Sequence, residues 1–268
     1  MAALSVLLPV AADTASSDFS RAFKSIQEQT IEPAEILLVT NQSLPRPLEA
    51  SIKEVVDANN PVRHEHFPNA PGLGGVLQAG LKVCSEPIVA RMDADDICQP
   101  TRFEVQLEVL STTDVDVVGS HLAEFETDPN HPMRTRTVPL THEGVAEWMP
   151  WRCPLNHPTV MFDREAVLGA GGYRDFPMME DWDIWARCLA AGLHFWNLDQ
   201  ALVRAQVSDL SGRRGGLDYA LSEVRMARQL RELGIAKRRD TLKHLSLRVP
   251  PRLFPASVRG AIYARFAR

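Results

Sequence analysis

The feature that most constrains this chain is the alternation, through its first hundred residues, of short apolar runs with amphipathic stretches. SVLLPV (residues 5–10), EILLVT (35–40) and PIVARM (87–92) are nearly continuous apolar runs, as parallel strands buried on both faces require. Residues 62–67 offer a weaker fourth strand. Between the runs lie helical patterns. Phe19, Ala22, Phe23 and Ile26 share one face after possible caps at Ser16, Ser17 and Asp18, and Pro33 ends that region. Residues 48–58 form a second pattern, and PGLGG opens a third that runs to Cys84. A β-α-β-α-β-α-β order implies right-handed crossovers and a mostly parallel, Rossmann-like sheet flanked by helices. Ligands in such sheets sit beyond the carboxyl ends of the strands. The segment directly after PIVARM is DADD (93–96).

The second half is less regular. Residues 102–110 read as a helix, DVDVVGSHLAEF as one or two strands, Thr141 as the cap of a short helix, and PTVMF (158–162) as a strand. Residues 181–191 read as a helix with Ile184, Trp185, Cys188 and Leu189 inward. Residues 217–233 read as another, with Leu217, Ala220, Leu221, Val224 and Ala227 in register. The 268 residues suffice for one sizeable α/β domain, 1–212, and a helical C-terminal extension, 213–268.

No segment has the 18 or more apolar residues of a membrane span, and the apolar N-terminus lacks the basic start of a signal peptide. Cys84, Cys98, Cys153 and Cys188 are widely spaced with no CxxC pair. This disfavours a zinc site or disulfide framework and suggests a reducing cytoplasm. The net charge of −5 is unevenly spread: residues 225–268 hold twelve Lys/Arg against Glu232 and Asp240, so this tail is +10 and the remainder −15. Such a tail suits an anionic partner. Its mixture of arginines with Leu245, Leu247, Leu253, Phe254, Val258, Ile262, Tyr263 and Phe266 resembles an interfacial helix, which points to the inner membrane surface. The rival is a helical pair packed on the domain with its arginines in water. Nucleic acid would explain the tail but not the acidic body, and is not expected.

Three carboxylates in four residues repel one another unless a cation or water relieves them. A nucleotide diphosphate would not approach them bare. A divalent Mg²⁺ or Mn²⁺ resolves both difficulties, because it takes one or two carboxylates and completes its shell with phosphate oxygens and water. The competing reading is a solvated acidic loop. GLGG (72–75) is a poor dinucleotide fingerprint: the expected place, VAADTASSDFS after the first strand, contains no glycine, which disfavours NAD.

With these residues assembled, the chain resembles the inverting family-2 glycosyltransferases of GT-A fold, in particular a bacterial exopolysaccharide and O-antigen (amylovoran-type) subgroup. ARMDADDICQPTRFEVQ carries the DxD segment. SVLLPV, SIQEQTIEPAEILLVTN and GLGGVLQAGL resemble the donor-binding half (1–98). VDVVGS, VPLTHE, NHPTVMF, GGYRDFPMMEDWDIWARC and SGRRGGLDYALSE resemble the acceptor side, which begins the span 99–212. The resemblance implies transfer of a sugar, from a UDP-sugar, to a saccharide or lipid-linked saccharide acceptor in cell-surface polysaccharide synthesis. It puts Asp95 and Asp93 in the metal set, Asp95 as the direct ligand and Asp93 at the ribose or a metal-bound water. Pro9, Val10, Asn41, Gly74 and Arg91 join Asp93 in the donor set. In MMEDWDIW, Asp181 matches the base and Glu180 its neighbour; against this stands plain stabilisation of a helix N-terminus by acidic residues. Trp182 is a candidate acceptor platform and His157 a candidate phosphate or acceptor contact, each with a structural rival. Arg213 and Arg214 match a loop that closes over the diphosphate. Thr40 and Asn41 stand where the family often has acidic residues, and Gly75 and Gln78 where the subgroup often has Lys and Asn; these departures concern the base of the nucleotide. The alternatives are a metal-dependent nucleotidyltransferase, which would want a glycine-rich basic loop after the first strand, and a non-catalytic nucleotide-sugar-binding relative.

Overall fold

The computed structural model describes residues 3–58, 61–207 and 215–254. The first half folds as its alternation dictates: β1 (Leu4–Pro9), α1 (Ser16–Gln27), β2 (Glu35–Thr40), α2 (Arg46–Ala58), β3 (Val62–His66), α3 (Gly72–Val83) and β4 (Ile88–Arg91). These four strands pair in parallel in the order β3-β2-β1-β4. The period of two sorts β1 and β2 between two cores. Leu4, Val6, Leu8, Ile36 and Leu38 meet α1 and α2 through Phe19, Phe23, Leu48 and Ile52. Leu7, Leu37 and Val39 meet α3 through Val76, Leu77 and Leu81. Each such aliphatic side chain taken from water contributes about 1.5–3 kcal/mol, so these strands are fixed by burial on both faces. α1 begins at Ser16 after Ala15, with no side-chain cap, so the three expected capping residues lie inside the helix.

The sheet continues into the second half, where strand directions mix. β8 (Met161–Asp163) pairs antiparallel with β4 and with β6 (Val117–Phe125). β9 (Phe195–Gln206) runs parallel to β6, with register shifts at Ser120 and His121. β5 (Ile97–Cys98) closes that edge on β9, and β7 (Arg134–Arg136) pairs with β6. The sheet is thus parallel through its first four strands and again between β6 and β9, with antiparallel pairs between and at the edge, and it runs continuously through both halves. The helices of this half are α4 (Arg102–Thr112), α5 (His142–Trp148), α6 (Arg164–Gly169) and α7 (Glu180–Ala190), with a 3-10 turn at His157–Thr159. Thr141 caps α5, its Oγ1 accepting from Gly144 N at 3.3 Å.

The C-terminal extension is α8 (Leu217–Glu232) and α9 (Arg238–Leu253). α8 buries Ala220, Ser222, Glu223, Met226, Ala227 and Leu230. Leu217, Leu221 and Val224, expected on the buried stripe, are exposed instead, because the buried Glu223 turns the adjacent face inward. Glu223 Oε1 accepts from Arg252 Nε and Nη2 at 3.1 and 2.8 Å, while Oε2 accepts from Arg248 Nε at 2.9 Å and lies 3.0 Å from His244 Nε2. Part of the tail's positive charge is therefore spent inside the protein. Arg213, Arg214, Val258, Ile262, Tyr263 and Phe266 lie outside the described residues.

Candidate active site

Pro9, Val10, Asn41, Asp93 and Asp95 meet, as expected, around one cleft of about 560 Å³ at the carboxyl ends of β1, β2 and β4. The chain reverses after β4 because Asp96 N donates to Asp93 O at 3.4 Å. Asn41 ties its wall together: Nδ2 donates to Ala70 O at 3.0 Å, on the approach to α3. Thr40 is withdrawn from the cleft, its hydroxyl within 3.0 Å of His64 Nε2 and 2.9 Å of His66 Nδ1. Those two histidines, sharing a strand face, are thereby engaged in structure. Gln206, at the end of β9, also lines the cleft.

The three carboxylates of DADD differ sharply in environment. Asp93 is gripped by Arg91, whose Nη1 donates to Oδ2 at 2.8 Å and whose Nη2 lies 2.5 Å from Oδ1. Asp96 is buried, and its carboxyl is raised well above the ordinary range by desolvation, then by Asp93 and Asp95. Asp95 exposes surface to the cleft, yet enough protein surrounds its carboxyl to push it up to about 6, with Asp93 as the next cause. Its hydrogen-bond partner among the described residues is its own amide. A partly desolvated carboxylate without a side-chain partner is chemically suited to a divalent cation. No group of three or more His, Cys, Asp or Glu side chains is placed to hold a metal among the described residues. The remaining ligands would have to come from diphosphate oxygens and water, as Mg²⁺-type sites commonly require.

Glu180 and Asp181 open α7, where a helix N-terminus favours negative charge. Asp181 is partly buried, with Oδ1 accepting from Trp182 N at 2.7 Å. The Glu180 carboxyl is pushed up to about 7, first by burial and next by Asp181; Asp93 adds to the rise and Arg91 opposes it. The same field reaches Tyr173, whose phenol is raised mainly by burial, with Asp181 and Glu180 adding and Arg91 opposing. It also reaches His157, held well below the usual imidazole range by burial and then by Arg91. The ED and DxD segments thus face one electrostatic neighbourhood, although neither Glu180 nor Asp181 lines the cleft.

Packing explains how α7 is brought there. A Cβ on Gly74 would lie 1.9 Å from Arg174 O and 3.3 Å from Glu180 Cβ, so only glycine lets α3 approach this closely. Gly74 therefore serves the site as a contact between α3 and the ED segment and does not line the cleft. Asp183, fully buried, accepts from Arg174 Nε and Arg187 Nε, each at 3.0 Å, which pins the segment before α7 to the helix. Met178 adopts φ 66, a left-handed conformation costly for a side chain of this size, two residues before Glu180.

Other expected contacts sit elsewhere. Trp182 is 3% exposed; its Nε1 donates to Met149 O at 2.9 Å, and its ring packs against His244 and Arg248. It belongs to the core joining α7 to the C-terminal helices, so the structure offers no open ring face for a sugar. His157 is buried with Nε2 2.9 Å from Tyr173 OH and does not line the cleft. Arg91 is 2% exposed and turned toward Asp93. A separate hollow of about 650 Å³, between α3 and residues 173–175, contains none of the DADD or ED carboxylates. Arg102 and Gln106 were not singled out in the sequence. Arg102 Nη2 donates to Arg91 O at 2.7 Å, and Gln106 Nε2 to Thr159 O at 2.8 Å, satisfying carbonyls beside the site.

A nucleotide-binding type of α/β sheet with a DxD loop at its carboxyl edge and an acidic helix start beside it defines a glycosyltransferase of GT-A fold. The structure of Staphylococcus aureus TarS 1–349 with UDP-GlcNAc superposes with a TM-score of 0.67 at 14% identity, covering 93% of this chain and 72% of that one. Mannosyltransferase PcManGT from Pyrobaculum calidifontis, solved with GDP-Man and Mn²⁺, gives 0.62 at 14% identity, covering 99% and 76%. Residues 5–168 match Glycosyl transferase family 2, and the chain belongs to that family. An uncharacterised glycosyltransferase of Haemophilus influenzae is 34% identical, with 92% of each chain covered. The amylovoran biosynthesis glycosyltransferase AmsE of Erwinia amylovora is 32% identical, covering 97% of this chain and 98% of that one. The Escherichia coli UDP-Gal:alpha-D-GlcNAc-diphosphoundecaprenol beta-1,3-galactosyltransferase is 30% identical, covering 98% and 96%.

Proposed function

We propose that this glycosyltransferase moves a sugar, with inversion and with a divalent cation, from a UDP-sugar to a lipid-linked saccharide in cell-surface polysaccharide synthesis. The observation that carries the reading is the cleft at the carboxyl ends of β1, β2 and β4, which gathers Pro9, Val10, Asn41, Asp93 and Asp95 in a family-2 chain. The names of the Escherichia coli and Erwinia amylovora relatives support the donor and acceptor classes.

In this reading the nucleotide lies along Pro9, Val10 and Asn41. Asp95 would hold the cation, with Asp93 at the ribose or a metal-bound water, and the resemblance assigns Arg213 and Arg214 to the diphosphate. The cation supplies charge stabilisation to the departing diphosphate. The acceptor hydroxyl attacks the anomeric carbon, the bond from that carbon to the diphosphate oxygen breaks, and Asp181 takes the hydroxyl proton. Glu180, pushed up to about 7, holds a proton at neutral pH part of the time and can donate a hydrogen bond to the acceptor. His157, neutral in its buried place, keeps Tyr173 oriented under the site.

The test is a thermal-shift panel of nucleotide sugars with and without Mn²⁺, followed by calorimetry on Asp181→Asn. Metal-dependent stabilisation by one UDP-sugar is expected. Asp181→Asn is expected to abolish transfer while donor affinity stays close to that of the native enzyme; equal loss of both contradicts the base assignment.

We place the enzyme at the cytoplasmic face of a membrane. No described helix is long and apolar enough to cross one. Leu217, Leu221, Leu242, Leu247, Leu253 and Phe254 of the extension are exposed, and exposed basic residues such as Arg225, Arg239 and Lys243 lie among them in sequence. Co-sedimentation with anionic vesicles should fall when the exposed Arg225, Arg239 and Lys243 are replaced together by glutamate, which leaves the partners of Glu223 in place; unchanged binding refutes the placement.

A further inference from the structure

A basic patch lies beside the acidic start of α7, outside the cleft of the DADD loop. Arg136 ends β7, and Arg152 follows α5. Neither side chain has a carboxylate partner among the described residues. The Arg152 guanidinium sits over the Trp148 ring at 3.6 Å, and the Lys243 amine over the Trp151 ring at 4.7 Å. Such contacts hold a cation in place without neutralising it. Arg248 reaches the same stretch: its Nη1 donates to Trp151 O at 2.8 Å, and its guanidinium lies 5.2 Å from the ring of Trp182, the neighbour of Asp181.

These like charges are gathered at a cost. The Arg152 guanidinium is held below the ordinary arginine range, first by burial and next by Arg136 and Arg248. Glu223 answers Arg248, which leaves Arg136 and Arg152 unanswered. Cys153 shows how near they are to Asp181. Its thiol, donating to Leu155 O at 3.4 Å, is raised by burial and then by Asp181, while the Leu155 bond and Arg136 oppose.

We propose that Arg136 and Arg152 bind the phosphate that joins the acceptor saccharide to its lipid. The inference rests on the lipid-linked acceptor of the reading above and adds the group by which that acceptor is held. A lipid-linked saccharide carries phosphate or diphosphate between sugar and lipid, so its anion arrives together with the hydroxyl that Asp181 is to deprotonate. A phosphate so close to a carboxylate is repelled unless cations stand beside it. Planar guanidiniums grip phosphate oxygens in pairs, which fixes direction as well as charge. The donor diphosphate belongs to the DADD cleft, so the acceptor phosphate has a site of its own.

The test is calorimetric titration of the full chain with octyl diphosphate, under saturating UDP and the same free Mn²⁺ in every arm, so that the donor cleft is filled. Neutral octyl glucoside is the control. The native chain should bind octyl diphosphate at least about tenfold more tightly than octyl glucoside, and Arg136→Gln/Arg152→Gln should lose about tenfold in that affinity, the size of one or two charge-assisted contacts. UDP affinity and sedimentation with anionic vesicles should stay as in the native chain. Should the double variant fail to fold, Arg152→Gln alone decides, because its site is exposed; a loss of about threefold or more is expected. Undiminished affinity in a folded variant, or equal binding of octyl diphosphate and octyl glucoside by the native chain, overturns the inference. A fall in vesicle sedimentation at least as large as the fall in octyl diphosphate binding also overturns it, and assigns the patch to the membrane surface. In each of these failures, metal-dependent stabilisation by a UDP-sugar in the thermal-shift panel leaves the transfer reading standing. If no nucleotide sugar stabilises the protein there either, that reading fails and the inference falls with it.

Discussion

Replacing Glu223 by glutamine should unfasten the C-terminal helices, and the size of the effect can be worked from its surroundings. Glu223 is fully buried on α8 and receives Arg252, Arg248 and His244 from α9. Burial alone would raise its carboxyl. The hydrogen bond with His244 and the charge and hydrogen bonds of the arginines more than offset this, so the group is held at about 2 instead of its ordinary 4.5. That difference corresponds to about 3 kcal/mol at neutral pH, and removing one partner of a buried ion pair costs roughly 3–5 kcal/mol in other proteins. Glutamine keeps the volume and one acceptor, but removes the negative charge that Arg252 and Arg248 face. For a chain of this length each kcal/mol lowers Tm by about 2–4 °C, so a fall of roughly 6–12 °C is expected at pH 7. The sign with pH follows from the lowered value. The stabilisation is complete above the ordinary 4.5 and is lost as pH falls toward about 2. Thermal melts followed by circular dichroism, native against Glu223→Gln, should therefore differ strongly at pH 7 and converge in acid. A Tm within about 2 °C of native at pH 7 would refute the idea that this cluster fastens α9 to the domain.

Gly74→Ala places a methyl 1.9 Å from the Arg174 carbonyl, so backbone must move; a loss of about 1–3 kcal/mol in urea titration, with transfer activity falling further than stability, is expected. Glu180→Gln should stabilise the protein at pH 8 and leave it nearly unchanged at pH 5. A carboxyl raised to about 7 loses stability as pH climbs from its ordinary 4.5 through that value, and melts at the two pH values check the sign. Trp182→Phe should cost about 1–3 kcal/mol through the Met149 carbonyl left without its donor, while KM for the acceptor stays constant; a large rise in that KM would restore the role of acceptor platform.

The cleft at the carboxyl edge was legible because its positions follow from period and topology. SVLLPV and PIVARM are buried on both faces, so DADD had to fall at the carboxyl edge, and Pro9, Val10 and Asn41 had to fall beside it. The second half resisted because its strands are short or interrupted. β9 carries FWNLDQALVRAQ, whose polar residues and shifted register mask a twelve-residue strand, and with it the placement of Gln206 in the cleft. Trp182 could not be told from a sugar platform by spacing, since α7 is buried over most of its circumference and an aromatic there finds core partners. The stripe expected on α8 was misplaced because helical spacing counts apolar residues alone. A buried glutamate with two arginines and a histidine as partners outweighed Leu217, Leu221 and Val224 in choosing the inner face.

That choice bears on the chemistry as well as the fold. Arg248 reaches from α9 to Glu223, to the Trp151 carbonyl at 2.8 Å and over the Trp182 ring at 5.2 Å. Trp182 adjoins Asp181 in the chain and bonds it through the backbone, and Cys153, two residues after Trp151, has its thiol raised first by burial and next by Asp181. The extension therefore supports both segments that flank Asp181. α3 supports the same carboxylates from the opposite side through Gly74, and Asp183 pins the segment between them. The base role proposed for Asp181 would need such bracing, because small displacements from an incoming hydroxyl cost large factors in rate. The basic tail, read from its charge alone as a surface for anions, thus has an inner part whose arginines hold the acidic end of α7 in place.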